Sequence, residues 1–313
     1  MASPRAITSI GRLAPRSPQC LQNIRHLSSL KTPVDIKTTC RVSLFNIDTP
    51  NRMRIVNNGL SNCFQNVLGS GSFGKVIQAA YKGDQVAAKI LRRRRDSDNS
   101  VNGERHATSL RHDNIIRILG IEQGPAASMI TMELCGKSLQ EKLDEGPLYS
   151  KDRIEIFIAI ACALRFCHCA GVVHADVKPK NILMAGDGKP KLADFGSSVL
   201  LGEVNVVGGI RGTPGYVAPE VIRGELPGPL SDVYSLGVSA WQMLSGIVPF
   251  AELHPHTILY LTGKGVKPED EGLDDDFGGR YKSLYRNMLS FATADRSGID
   301  AVISGLESLE REV

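Results

Sequence analysis

Two stretches of the chain carry side chains suited to phosphate chemistry. In His174-Ala175-Asp176-Val177-Lys178-Pro179-Lys180-Asn181-Ile182-Leu183 one short loop supplies a carboxylate, an ammonium and a carboxamide. Lys191-Leu192-Ala193-Asp194-Phe195-Gly196 adds a second carboxylate between apolar residues and glycine. Such a set can orient and deprotonate a hydroxyl, neutralise a γ-phosphate and offer oxygen ligands to Mg2+. Upstream, Gly69-Ser70-Gly71-Ser72-Phe73-Gly74-Lys75-Val76 follows Leu68. Glycines at this spacing let a hairpin lay backbone amides over a polyphosphate, where a β-carbon would hold the phosphates away. The pattern alone also fits a dinucleotide-binding turn or a plain glycine-rich hairpin. Val86-Ala87-Ala88-Lys89 supplies context: an ammonium within an otherwise apolar strand requires an anionic ligand and a carboxylate partner. Glu104, in the next helical segment, is the candidate for that partner.

The elements that must position these groups follow from hydrophobic periodicity. β-branched runs at Val76–Ala80, Gln85–Leu91, Ile115–Ile121 and Met129–Leu134, separated by Gly or Asp, read as a meander of antiparallel strands. The period then changes to 3.6. Ser150 is placed to cap a helix through Ile154, Phe157, Ile158, Ala161 and Leu164, with Gly171 as its terminator. A second helix is expected from Ser231 or Asp232 to Gly246. The fold class is therefore α+β, a small β-rich lobe followed by a larger helical one. The segment bearing Glu104 has low helix propensity, with Asn102 and Gly103 just before it.

Composition bounds the remainder. At 313 residues, 42% hydrophobic and 22% charged, the chain fits an ordinary globular protein rather than a collagen-like, coiled-coil or wholly disordered one. Residues 1–60 hold nine Lys or Arg against Asp35 and Asp48, a net +7, so the rest carries −3 of the total +4. A mildly acidic body with a basic, Pro- and Ser-rich arm argues against a nucleic-acid-binding domain. The expected organisation is a mostly disordered arm over 1–61 and one domain over 62–313, divided at 134/135. The longest apolar run, Ile156–Leu164, is too short to span a membrane. Seven cysteines show no disulfide framework, and Cys162, Cys167 and Cys169 match no usual zinc spacing. Reduced thiols imply a cytoplasmic protein. The acid-free basic first 34 residues leave mitochondrial targeting as an alternative, although Pro15 and Pro18 would interrupt the helix that such a signal needs.

Over residues 64–310 the sequence resembles the eukaryotic protein kinases, on the glycine-rich loop, Val-Ala-Ala-Lys89, Glu104, His-x-Asp176, Asp194-Phe-Gly, Ala218-Pro-Glu220, Asp232 and Arg296 in order. The resemblance implies the bilobal kinase fold, with ATP and Mg2+ as cofactors. It makes Asp176 the catalytic base, Lys178 the phosphate-binding lysine, and Asn181 and Asp194 the metal ligands. Lys89 would hold the α- and β-phosphates and pair with Glu104. Leu68, Gly69, Gly71, Ser72, Gly74, Val76, Ala87 and Leu183 would line the nucleotide. Met132 would be the gatekeeper, with the backbone of Glu133 and Cys135 binding adenine. Glu220 and Arg296 would form a buried ion pair. Lys178-Pro-Lys-Asn181 with Gly212-Thr-Pro-Gly-Tyr216 resembles the serine/threonine class, in which Thr213 bonds Asp176 and Lys178. Within that class the sequence is most similar to the Mos family, on Leu110-Arg-His-Asp-Asn-Ile, Asp232-Val-Tyr-Ser, Trp241-Gln-Met and His256-Thr-Ile-Leu-Tyr. That family implies an upstream activator of a MAP kinase cascade in oocyte meiosis, with a MAP kinase kinase as protein substrate, acting as a monomer with no nucleic acid or membrane partner. The alternatives are a serine/threonine kinase of another pathway and an inactive kinase-like scaffold.

Some residues depart from the usual pattern or carry a plainer reading. Ala175 stands where most kinases place arginine, so a phosphate on the activation segment would lack its main charge partner. Lys180 removes an acidic residue that many basophilic kinases use to read arginine. Between Phe195 and Ala218 only Ser197, Ser198 and Thr213 are Ser or Thr. The segment is therefore expected to be held by packing of Val204, Val206, Val207 and Ile210, with the protein active as synthesised. Arg92–Arg95, the acidic residues between Glu269 and Asp276, and His254 with His256 read as solvated surface. Ser3-Pro4, Ser17-Pro18, Thr32-Pro33 and Thr49-Pro50 are proline-directed phosphosite patterns, of the kind that disordered arms also contain by composition.

Overall fold

The computed structural model describes residues 44–59, 66–70, 74–93, 97–203, 209–275 and 277–313. A sheet and a helical region meet around the motifs. β1 (Phe45–Asn46), α1 (Asn51–Asn58), β2 (Val67–Ser70), β3 (Gly74–Tyr81), β4 (Asp84–Arg92), α2 (Ser97–His106), β5 (Ile118–Gln123) and β6 (Ala127–Glu133) form the first part. The helical part contains α3 (Leu139–Glu145), α4 (Ser150–Cys169), α5 (Pro219–Ile222), α6 (Pro229–Ser245), α7 (Pro255–Gly263), α8 (Arg280–Met288) and α9 (Ile299–Glu310). Short strands β7 (Val172–Val173), β8 (Ile182–Met184), β9 (Pro190–Leu192) and β10 (Val199–Leu200) carry the chain between them. This is the expected α+β bilobal kinase fold.

The sheet runs β1-β3-β4-β6-β5, with β2 also on β3. It is not the simple meander that the run of strands suggests. β5 lies at the edge and β6 returns between β5 and β4, because α2 intervenes after β4 and displaces the next strand outward. Ile115, expected within a strand, instead makes an isolated parallel bridge to Leu192, and β5 starts at Ile118.

Period-2 alternation gives β4 two different faces. Val86, Ala88 and Ile90 join one apolar cluster, whereas Ala87 and Leu91 join the other. Lys89 therefore projects to the same side as Ala87 and Leu91, the side that faces α2.

The structure corrects the expected extent of the arm. Residues 44–58, counted as unstructured, form β1 and α1 and complete the first of these clusters, with Ile47, Ile55 and Val56 buried against Ile77, Ala79 and Met129. β1 runs parallel to β3, with Phe45 opposite Ala79. Arg52 reaches into the same layer, donating to Thr131 Oγ1 at 2.9 Å, pairing with Glu122 and stacking over the Tyr81 ring. The local sequence has no strong period, and burial against a finished sheet face is what orders it. The proline-directed pairs at residues 3, 17 and 32 lie outside the described residues.

The helical part builds around α4, which starts at Ser150 itself rather than one residue later. Its Phe157 meets Tyr281 of α8 edge to face. α6 begins at Pro229, two residues earlier than expected, since Gly228 and Ser231 close its first turn. The predicted ion pair is present: Arg296 grips both carboxylate oxygens of Glu220 at 2.6 and 3.0 Å, fully buried. The acidic loop is less solvated than expected, because Asp270 accepts two bonds from Arg286 and Asp275 accepts backbone N–H bonds at the start of α8. Among the described residues no helix is long and apolar enough to cross a membrane, and Cys135, Cys162, Cys167 and Cys169 are free thiols.

Candidate active site

The loop between β7 and β8 is fixed from beneath. Asp232, fully buried in the first turn of α6, accepts from the backbone N–H groups of His174 and Ala175 at 2.8 Å each and bonds His168 Nε2 at 2.8 Å. Two successive N–H groups on one carboxylate hold Ala175 at φ 62°, a left-handed conformation that costs a non-glycine residue about 1 kcal/mol or more. His174 Nε2 lies 3.1 Å from Ala193 O, so this loop is also tied to the strand that precedes Asp194.

Above this platform, Asp176 has both oxygens engaged. Thr213 Oγ1 donates to Oδ1 at 2.7 Å, and Lys178 Nζ donates to Oδ2 at 2.7 Å and to Thr213 Oγ1 at 2.5 Å. Asn181 Nδ2 donates to the Asp176 carbonyl at 2.8 Å and to Oδ2 at 3.1 Å. Since the Asn181 amide nitrogen is committed to Asp176, its carbonyl oxygen is the end left to act as an acceptor or metal ligand. One short loop and Thr213 thus bring four of the sequence-selected residues into a single network.

The second group centres on Lys89. Its Nζ lies 2.6 Å from Glu104 Oε1 and 2.6 Å from Asp194 Oδ1. Burial would lower the Lys89 pKa, but the two carboxylates outweigh it and hold the ammonium above its ordinary value. Burial pushes the Glu104 carboxyl up, with Lys89 opposing. The surroundings also disfavour ionised Asp194, yet the charge and hydrogen bond of Lys89 more than offset this and keep its pKa below the ordinary value. Asp194 is therefore an ionised oxygen donor. Sequence reasoning anticipated one carboxylate partner for Lys89 and missed the second.

The doubtful helix is real, and its weak propensity has a cause. α2 spans Ser97–His106, and Glu104 is 1% exposed. A β-carbon on Gly103 would sit 2.5 Å from Phe195 O and 2.7 Å from Gly196 O. Glycine costs the helix about 1 kcal/mol and permits the close approach to the segment that carries Asp194.

Most of the residues expected to line a nucleotide lie on the surrounding strands. Val76 is opposite Lys89, and Ala87 is opposite Met132, which is almost buried in β6. Glu133 ends β6, where its side chain is taken by Arg117 N and Lys191 and its backbone N–H donates to Arg117 O at 3.0 Å. Cys135 follows, its thiol pushed up to about 11 by burial. Leu183 lies in β8, Leu68 and Gly69 in β2, and Leu68 is half exposed. Gly74 differs from expectation: a β-carbon there would meet Ile90 O at 2.0 Å, so strand approach demands this glycine directly. Gly71 and Ser72 lie outside the described residues, as do Val204, Val206 and Val207. Ile210, expected to pack, is 45% exposed.

Comparison with known proteins accords with this geometry. The family described as "Protein kinase domain" matches residues 64–305. The serine/threonine-protein kinase mos of Patiria pectinifera is 32% identical over 259 residues, 77% of this chain and 73% of that protein. Sucrose non-fermenting protein kinase 1 of Fusarium virguliforme is 35% identical over 208 residues, 64% of this chain and 30% of that protein. The serine/threonine protein kinase OSK3 of Oryza sativa subsp. indica is 38% identical over 193 residues, 58% of this chain and 38% of that protein. The chain thus spans about three quarters of the first and a third of the other two. With the family match covering most of the chain and these relatives sharing one activity, the chain belongs to the protein kinase family and is a protein serine/threonine kinase.

Proposed function

We propose that this kinase is a Mos-type activator, phosphorylating serine or threonine on a MAP kinase kinase in a cascade that controls oocyte meiosis, in the cytoplasm and as a monomer. The observation that carries this reading is the extent of the likeness to the mos kinase, 77% of this chain and 73% of the relative, against 64% of the chain or less for the sucrose non-fermenting and OSK kinases. Higher identity over shorter stretches, 38% over 193 residues, favours the second reading, a kinase of another pathway.

In either reading Asp176 accepts the proton of the substrate hydroxyl, aligned by Thr213 and Asn181, while Lys178 offsets charge at the transferred group. Lys89 holds the phosphates and is itself held by Glu104. The oxygens of Asn181 and Asp194 suit Mg2+, a hard cation that takes one or two protein ligands beside substrate phosphates and water. When bound, Mg-ATP supplies the phosphoryl group and the cation that neutralises its developing charge. The backbone of Glu133 and Cys135 would bind adenine beside Met132, and Leu68, Gly69, Gly74, Val76, Ala87 and Leu183 would line the nucleotide. The test is an assay offering a catalytically dead MAP kinase kinase beside a generic basic protein. Strong preference for the former supports the Mos-type reading, and equal or reversed labelling sinks it.

A further inference from the structure

The activation segment has a polar attachment where an apolar one was expected. Ser198 is 2% exposed, and its hydroxyl donates to Gly103 O at 2.8 Å. His106 Nδ1 lies 2.9 Å from Ser198 Oγ. A serine hydroxyl has one proton, here committed to Gly103, so His106 is the donor in the second bond. Gly103 O lies in the last turn of α2, which runs on into a 3-10 turn at Ala107–Ser109. On the other side, Ser198 N donates to Phe195 O at 2.8 Å, and the next residue, Val199, pairs with Val173 immediately before the catalytic loop. Ser198 therefore ties the end of α2 to both the Asp194 turn and the strand leading to His174. Arg211 adds a bond to Ser197 O at 3.0 Å within the same segment.

We propose that Ser198 is a positioning residue for phosphoryl transfer: its buried hydroxyl latches α2 so that Glu104 completes the Lys89 pair, a task that needs no phosphate. Glu104 is one residue from the latched carbonyl, and Gly103 lies against Phe195 and Gly196, so movement at Ser198 displaces the carboxylate directly. The inference rests on the assigned role of the Lys89–Glu104 pair and is independent of which protein is the substrate.

The test is steady-state kinetics of full-length Ser198→Ala, Ser198→Thr and Glu104→Gln, with Ile303→Val, a core change in α9, as a stability control. Ser198→Ala is expected to raise KM for ATP and lower kcat so that kcat/KM falls by about three- to tenfold, the size of one lost hydrogen bond. Ser198→Thr, which keeps the hydroxyl, is expected to restore both, and Ile303→Val to lower the melting temperature without moving either. Wild-type constants in Ser198→Ala, or the same shifts in Ile303→Val, overturn the latch. If Glu104→Gln alone keeps wild-type kinetics, the ion-pair role fails instead, and the latch with it. Should Ser198→Ala not fold, His106→Leu removes one of the two bonds and gives the same comparison.

Discussion

The catalytic loop and helix α2 deliver charged groups to one site but are held in opposite ways. Asp176 sits on a loop whose backbone is bonded to a fully buried carboxylate and whose side chains bond one another, so several contacts must fail before it moves. Glu104 sits on a short helix with glycine in its last turn, held by Lys89, by Ser198, by the Arg105–Gln123 bond and by burial of Val101. Buried, mutually satisfied hydrogen bonds fix a geometry, whereas a short helix of poor propensity can be shifted more readily. Asp176 is built into its surroundings, whereas Glu104 rides on an element that can shift.

That contrast can be broken at either end. Asp176→Asn and Lys89→Met are expected to reduce turnover by on the order of 10^2 to 10^4, read by phosphate transfer to a protein substrate under conditions where each variant is fully folded. Asp232→Ala leaves two backbone donors and His168 without their acceptor in the interior. A loss of about 3 kcal/mol or more in urea denaturation is expected, with activity lost through the loop. Gly103→Ala must push α2 from Phe195, and about a tenfold fall in kcat/KM with little change in stability would sharpen the comparison. A pH effect is smaller. Burial lowers the His106 pKa, with Glu203 opposing and Arg211 assisting. The unfolded chain then takes up the proton first, so stability is full above about pH 6.5 and declines as pH falls toward the folded value. His112 is shifted in the same direction, so His106→Gln should lessen the fall between pH 7.5 and 5.5 without abolishing it. No change at all is expected from phosphatase treatment of the recombinant kinase, with phosphorylation checked by mass spectrometry; a collapse that rephosphorylation reverses would contradict a phosphate-free latch.

Legibility in the sequence followed the nature of each contact. Asp176, Lys178, Asn181 and Asp194 stand in two compact motifs, because a loop that converges on one phosphate must carry its chemistry within a few residues. The α+β order and the long helices α4 and α6 were readable from period alone. Ser198 with His106 and Gly103 was not: the serine lies more than 90 positions from the other two, and ordinary residues so far apart have no pattern until the chain folds. The sheet order failed for a related reason, since strand runs give existence and not neighbours. Gly103 was read as evidence against a helix because propensity is local, while the demand for a missing side chain came from Phe195 and Gly196.

Residues 44–58 have a consequence for the life of the protein in the cell. They cover Ile77, Ala79, Val86, Ala88 and Ile90 on one side of the sheet, and Arg52 closes the layer. A proteolytic fragment or shortened translation product beginning after Asn58 would retain all the catalytic motifs, yet present a contiguous greasy surface to chaperones and degradation machinery. The boundary of a usable kinase is thus set upstream of its first motif, by quality control rather than by chemistry.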